Sequence, residues 1–146
     1  MNKSITLNKM YIVILVLVFI AGICIRAKSY FSGYTFWLDE CSLALNIMHR
    51  NIFGYFSPLE HVQSAPPFFM MATKVITHFF GINEFSLRFI PFVSSIASLP
   101  LFYLFSKKFL TKKYSIVIAF LLFALNYQLF YFSAEFKQYS SDVMMC

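Results

Sequence analysis

Charged residues are scarce in this chain of 146 residues. Lysine, arginine, aspartate and glutamate together make up 12% of it, against 60% hydrophobic and 21% aromatic residues. A soluble domain needs far more polar surface than this to cover its core. The composition therefore excludes an ordinary soluble globule and predicts an integral membrane protein.

Glycine, cysteine and histidine are also few, and their spacing excludes several kinds of site. The four glycines are scattered, so the chain has no glycine-rich phosphate-binding loop. The three cysteines lack the spacing of a disulfide framework or a zinc site, and no two histidines have metal-ligand spacing. The cofactor is therefore unknown from the sequence: a divalent metal is compatible with an acidic pair, but nothing in these spacings indicates one.

Three runs without charged residues are close to the length that crosses a bilayer: residues 10–25, 89–105 and 114–134. The first is slightly short, but Lys9 and Arg26 at its ends are expected to extend to the two interfaces. It exceeds an ordinary signal-peptide core and lacks a good cleavage site, so we interpret it as a retained anchor. The absence of charge within the runs disfavours a transporter.

Lysine is distributed unevenly around these runs. With three crossings, six lysines and no acid lie on one side, at the N-terminus and in the turn of residues 106–113. All six acids lie on the other side with six basic residues. Because short loops rich in lysine stay in the cytoplasm, the N-terminus is predicted to be cytoplasmic and the acids outside. The net charge of +6 is then an orientation signal, and no nucleic-acid partner is predicted.

The outer loop of residues 26–88 is too long to be structureless in a compact domain. Asp39 is predicted to cap a short helix, and Pro66 and Pro67 to begin a second helix that ends at Gly81. The second helix surrounds a polar stripe with apolar residues, which is typical of a helix in the membrane interface. The predicted fold class is all-α integral membrane: three transmembrane helices, two interfacial amphipathic helices in the first outer loop, and a fourth hydrophobic element that begins after Asp142.

Two acidic sites are predicted to meet on the outer face. Asp39 and Glu40 follow aromatic residues that suit the membrane surface, and they are either a carboxylate base or metal ligand or acids that complement a helix dipole. Glu135, Gln138, Tyr139 and Asp142 recur at intervals of three and four, which predicts one polar helix face. Ordinary ion pairing, for instance of Glu135 with Lys137 or Arg88, is the alternative for the second site.

Five sequence blocks occur in a distinctive order: WLDE at 37–40, QSAPPFF at 63–69, FGINEFSLR at 80–88, a lysine-rich turn, and EFKQYSSD at 135–142. In this order they resemble the N-terminal part of the Rgt-like membrane glycosyltransferases of the GT-C superfamily. That group is related to the protein O-mannosyltransferases and the aminoarabinose transferases of lipid A. The resemblance covers essentially the whole chain, residues 1–146, as the N-terminal portion of one transmembrane domain.

The resemblance implies that a sugar moves from a polyprenyl-phosphate carrier to a hydroxyl of a glycan, lipid or protein on the non-cytoplasmic face, for envelope glycan synthesis in a bacterial inner membrane. It implies Asp39 and Glu40 as catalytic residues, with Asp39 as the base. Lys74, Arg88 and Lys137 are then the candidates for the donor phosphate. The further candidate substrate-binding residues are His61 and Gln63, from their position before the double proline, and Glu135, Tyr139 and Asp142, from their spacing.

One departure from the family pattern concerns the donor phosphate. Ser64 and Ala65 stand where a Glu-Lys pair often precedes the double proline, so the usual phosphate-binding lysine is missing. Full-length relatives carry many more spans, so this stretch alone is expected to be inactive. The alternative function is a non-catalytic membrane scaffold or assembly protein that retains the fold.

Overall fold

The structure is a computed structural model that describes the backbone of residues 2–33 and 35–146 and the side chains of residues 8–33 and 35–146. Every regular element among these residues is helical. The α-helices are α1 (Asn2–Phe31), α2 (Leu38–His49), α3 (Pro67–Phe80), α4 (Glu84–Phe109), α5 (Lys113–Ala124), α6 (Tyr127–Tyr131) and α7 (Tyr139–Met145), with 3₁₀ turns at Ile52–Phe56 and Phe132–Ala134.

Two helices are long and apolar enough to cross a membrane: Asn8–Phe31 within α1, and α4. A third crossing requires α5 and the segment Tyr127–Ala134 to act as one span, although they are bent by 48° at their break. The prediction of an all-helical fold is confirmed for the described residues, and the two long helices are consistent with the prediction of a membrane protein. Both long helices extend beyond the predicted runs, past Arg26 in α1 and before Arg88 in α4.

The helices share two ends that differ in charge. At one end the Tyr30 hydroxyl of α1 donates to the Phe85 carbonyl of α4 at 2.8 Å. At the other end the Lys113 ammonium of α5 donates to the Asn8 side chain of α1. We call the first the acidic end (Phe31, Glu84 and Ala134) and the second the lysine end (Asn8, Phe109 and Lys113). The antiparallel pairing of α1 and α4 follows from these contacts.

Two hydrophobic clusters form the core. One lies between α1, α4 and α5 and comprises Leu15, Val18, Leu99, Phe120 and Ala124. The other lies at the acidic end and comprises Leu43, Ile47, Tyr55, Phe69, Met70, Leu87 and Phe136. The second cluster joins α2 and α3 to α4 and to the segment after α6, so the outer loop is packed against the helices and not suspended above them.

α4 is the central helix, in contact with α1, α3, α5 and α7. Its buried face carries Ser94, Ser95 and Ser98, and small residues allow helices to approach closely in a membrane. The Ser94 and Ser141 hydroxyls lie 3.2 Å apart, so α7 runs back along α4 toward the lysine end. This direction places Asp142 beside Ser98, in a groove between α4, α5 and α7.

Three sequence expectations are wrong at the level of the fold. Arg26 does not reach an interface: its side chain is completely buried within the α1 span, so that span is not free of charge. The argument against a transporter therefore falls away. Glu135 does not share a helix face with Asp142, because α7 begins only at Tyr139. Phe136 is fully buried in the core cluster at the acidic end. Its side chain packs there between the 3₁₀ turn that ends at Ala134 and the start of α7 at Tyr139, where the chain is not helical.

α3 begins and ends where the sequence predicts. Pro67 occupies its first position, and Gly81 follows it with a positive φ of 76°, a conformation that favours glycine. Its inward face is mixed, because Thr73 and Thr77 are buried together with Phe69 and Met70. Phe68 and Phe79 are exposed on the other side of the helix.

Candidate functional site

The first turn of α2 is capped by Glu40 and not by Asp39 as predicted. Trp37 is the N-cap residue, and its backbone N–H donates to Glu40 Oε2 at 3.1 Å. A glutamate at the third helical position that reaches back in this way satisfies one of the free donors at a helix N-terminus. Asp39, at the second position, takes no part in capping, and its side chain is 70% exposed.

Glu40 and Arg88 form a buried ion pair. Arg88 Nε lies 3.2 Å from Glu40 Oε1, and Arg88 Nη2 lies 3.1 Å from Glu40 Oε2, which is the parallel two-bond geometry that arginine favours with carboxylates. The side chains are 3% and 2% exposed. The Phe36 ring covers the guanidinium carbon at 4.4 Å from its centroid. The pair thus fastens α2 to α4.

Each Glu40 oxygen accepts two hydrogen bonds. Oε1 accepts from Arg88 Nε and from the Phe136 backbone N–H, and Oε2 accepts from Arg88 Nη2 and the Trp37 N–H. A buried charge is stable only when it is paired and hydrogen-bonded in this way. Glu40 therefore joins three parts of the chain that are distant in sequence: α2, α4 and the segment after α6.

Asp39 lies beside a lysine that is itself held in place. Lys137 Nζ is 3.8 Å from Asp39 Oδ2 and donates to Gln63 Oε1 at 3.0 Å. The Lys137 side chain is only 14% exposed, so its ammonium group has few other positions open to it. The arrangement leaves one carboxylate exposed at the surface, next to a cation that is fixed by the loop before α3.

Glu135 is a second carboxylate close to the ion pair. Burial is the largest influence on it and raises the pKa of Glu135 above its ordinary value, and the charge of Glu40 acts in the same direction. The Tyr131 hydroxyl, which hydrogen-bonds to the carboxylate, and the cations Arg88 and Lys137 oppose the rise in pKa. Glu135 therefore holds a proton more readily than an exposed glutamate.

Two cavities open at the acidic end, one on each side of a shared wall. The first, of about 500 Å³, reaches Arg88 and Tyr131; the second, of about 380 Å³, reaches Asp39, Lys137 and Tyr139. The wall consists of Trp37, Leu38, Glu40 and Glu135, which line both cavities. Six of the ten predicted site residues thus line this pair of cavities (Asp39, Glu40, Arg88, Glu135, Lys137 and Tyr139), and Gln63 joins them through its bond to Lys137.

The remaining predicted residues lie outside the two cavities. His61 is exposed in a turn where it and Val62 both have positive φ, and its carbonyl accepts from the Gln63 side chain at 3.3 Å. The Lys74 ammonium donates to the Ile47 carbonyl near the end of α2. Asp142 lines a separate apolar groove of about 600 Å³. The expectation that Asp142 shares a face with the other acids is wrong, because α7 turns back along α4.

Sequence reasoning missed four residues of this site: Phe36, Trp37, Tyr131 and Phe136. The two aromatic residues before the acidic pair were assigned only an interfacial position, although Phe36 covers Arg88 and Trp37 lines both cavities. Phe136 follows Glu135 in the sequence, but nothing in its position indicates that its backbone N–H donates to Glu40, 96 residues away. Tyr131 precedes Glu135 by four residues, but nothing in the sequence indicates that it lines a cavity with Trp37 and Arg88. Such contacts arise only when distant segments fold together.

Among the side chains that the structure describes, no group of three or more His, Cys, Asp or Glu residues is placed to hold a metal ion. Comparisons with protein-family models, with curated proteins and with solved structures found no match to this chain.

Proposed function

We propose that this chain is the N-terminal module of a GT-C-type membrane glycosyltransferase, which moves a sugar from a polyprenyl-phosphate carrier to an acceptor hydroxyl. The observation that carries the proposal is the difference in burial between the two members of the acidic pair. Glu40 is buried and accepts four hydrogen bonds, whereas Asp39 next to it is 70% exposed at the mouth of a cavity. This supports Asp39 as the reacting carboxylate and Glu40 as the residue that positions it.

The proposed reaction uses Asp39 as a general base. Its carboxylate takes the proton of the acceptor hydroxyl as that oxygen forms a bond to the anomeric carbon. The bond between the anomeric carbon and the phosphate oxygen breaks, the electron pair leaves with the polyprenyl phosphate, and the configuration inverts. Lys137 and Arg88 are the two nearby cations that would bind the phosphate group. Arg88 would remain paired with Glu40 while it does so.

In this proposal the chain crosses a bacterial inner membrane three times, with the bent pair of α5 and the following segment as the third span. The lysine end is cytoplasmic and the acidic end is outside. α2 and α3 lie in the outer interface, with exposed Phe68 and Phe79 meeting lipid. A cavity at this depth suits a substrate with an apolar tail in the bilayer and a sugar in water.

The function is tested on the complete gene product in membrane vesicles, supplied with a radiolabelled polyprenyl-phosphate sugar. Asp39→Asn keeps the shape of the side chain but removes the base. We expect at least about a hundredfold loss of transfer rate with donor binding retained. Glu60→Gln is the matched control, because Glu60 is an exposed carboxylate of the same loop, 62% accessible and outside both cavities.

Near-normal transfer by Asp39→Asn at equal protein level would remove Asp39 from catalysis. Absence of transfer by the wild-type protein with any prenyl-phosphate sugar would favour the alternative, a membrane scaffold that keeps the fold without the chemistry.

The orientation is tested separately by cysteine labelling. Cys24, Cys41 and Cys146 are first replaced by alanine, and single cysteines are then introduced at Leu110 and Ser64. An impermeant reagent added outside should label position 64 and leave position 110 unlabelled until the membrane is opened. Labelling of position 110 in sealed cells would invert the proposed topology.

A further inference from the structure

Trp37 stands on the wall that the two cavities share. It is 66% exposed although it adjoins the buried Glu40–Arg88 pair. Its backbone is fixed on both sides: its N–H donates to Glu40, and its carbonyl accepts from the Cys41 N–H at 3.0 Å. The indole therefore projects from a rigid point of the chain.

Polar groups lie around the indole as well. Tyr131 and Glu135 line the same cavity as Trp37. The indole has a single polar group, the ring N–H, which can only donate a hydrogen bond. The rest of its exposed surface is apolar.

Trp37 lines two cavities that contain different polar groups. One cavity contains Asp39 and Lys137, the other contains Arg88 and Tyr131, and Glu135 lines both. Sugars carry the complementary groups: a face of C–H groups that packs on aromatic rings, and hydroxyl groups at the edge that bond to carboxylates and cations. A tryptophan that only anchored the chain in lipid would not need charged groups in both of the cavities that it lines.

We propose that Trp37 is the platform on which a pyranose ring stacks, with the sugar lying across the wall between the two cavities. This inference rests on the proposed function, since it assigns the sugar-binding position of the same site. Asp39 and Lys137 then meet the sugar substituents in one cavity, and Glu135, which lines both cavities, meets them at the wall.

The chain offers a direct probe, because Trp37 is the only tryptophan among its 146 residues. The purified chain in phosphatidylcholine nanodiscs is titrated with farnesyl phosphate linked to glucose, mannose or N-acetylglucosamine, and with farnesyl phosphate without a sugar. We expect at least one sugar conjugate to give a saturable change in tryptophan emission that farnesyl phosphate does not give. It should bind about tenfold more tightly than the phosphate alone.

Substitutions separate stacking from other contacts, with binding of radiolabelled ligand as the measurement. Trp37→Ala should abolish the tenfold preference for the sugar conjugate and leave farnesyl phosphate binding unchanged, whereas Trp37→Phe should keep part of the preference. Phe53→Ala is the matched control, because Phe53 is also an exposed aromatic residue, 84% accessible against 66% for Trp37, and lies outside both cavities.

The possible failures are distinguishable. Equal binding with and without a sugar, together with unchanged emission, would overturn the platform and leave the proposed transferase standing. Strong quenching of Trp37 by brominated lipids that no sugar conjugate relieves would also overturn it, since the ring would then face lipid. No binding of any prenyl phosphate would overturn the platform and count against the proposed donor as well.

Discussion

Arg26 and Arg88 are both completely or almost completely buried, yet the protein stabilises them in different ways. Arg88 faces a carboxylate and shares two hydrogen bonds with it. Arg26 has only neutral acceptors: the Ser95 hydroxyl at 2.8 Å and the carbonyls of Ala124 at 2.8 Å and Gly22 at 3.1 Å. Its Nη2 has no hydrogen-bond partner among the residues that the structure describes. One arginine belongs to an ion pair, and the other replaces missing backbone donors.

The acceptors of Arg26 explain its place in the fold. Ala124 is the last residue of α5, and the last carbonyls of a helix lack partners within it. A cation near a helix C-terminus is also favoured by the helix dipole. Gly22 lets α1 come close enough, since a Cβ there would lie 3.3 Å from the Ala124 Cβ atom. Arg26 thus stabilises the break between α5 and α6, whereas Arg88 holds the outer loop onto α4.

The largest effect is expected from breaking the ion pair. Glu40→Gln removes the negative charge and leaves Arg88 buried without a counter-charge, which costs about 3–5 kcal/mol of unfolding free energy. The double variant Glu40→Met/Arg88→Met should recover part of that loss, since neither charge remains, although the Trp37 and Phe136 backbone N–H groups lose their acceptor. The measurement is unfolding by sodium dodecyl sulfate in mixed micelles, followed by helical circular dichroism.

The surface pair of Arg50 and Glu60 serves as the control for this prediction. Its atoms lie 3.4 Å apart with Glu60 62% exposed, so Glu60→Gln should change the unfolding free energy by less than about 1 kcal/mol. Equal losses of unfolding free energy in Glu40→Gln and Glu60→Gln would mean that burial does not make the Glu40–Arg88 pair more important for stability than the surface pair.

A smaller effect is expected from Arg26→Met. The substitution removes hydrogen bonds to Ala124 and Ser95, but it leaves no opposite charge behind, so we expect a loss of about 1–3 kcal/mol. Lys28→Met, at an exposed position of the same helix, should have little effect in the same unfolding assay. A loss for Arg26→Met as large as that for Glu40→Gln would show that the two arginines are equivalent after all.

The smallest expected effect is a pH dependence of the unfolding free energy that comes from Glu135, the carboxylate beside the Glu40–Arg88 pair. Because burial raises the folded-state pKa of Glu135, the folded chain binds its proton more tightly than the unfolded chain does. Glu135 should therefore lower the unfolding free energy as pH rises from the ordinary glutamate pKa of 4.5 through the raised folded value.

Comparison of the unfolding free energy at several pH values from 4 upward tests this sign. Glu135→Gln should flatten the slope over that window, whereas Glu60→Gln should leave it in place. A slope that is unchanged in Glu135→Gln would mean that other groups produce it.

Helix positions could be predicted from the sequence where local chemistry sets them. Pro67 and Gly81 delimit α3 because proline fits the first helical turn and glycine tolerates positive φ. The resemblance implies Asp39 as the base, but the local sequence around the acidic pair does not separate the roles of its two members. Two adjacent acids at a helix N-terminus have the same local properties, and only their neighbours in space distinguish them.

The sequence by itself determined that this chain is helical and has apolar helices long enough to cross a membrane, because hydropathy and composition are properties of contiguous residues. It also separated the lysines from the acids along the chain. Only the tertiary structure decided that Glu40 is buried against Arg88, which lies 48 residues away, while Asp39 stays exposed. The insertion of Phe136 and the burial of Arg26 were decided in the same way, since each depends on contacts between segments about 70 to 100 residues apart. Desolvation and pairing of charges are set by what packs around them, and no local pattern records that.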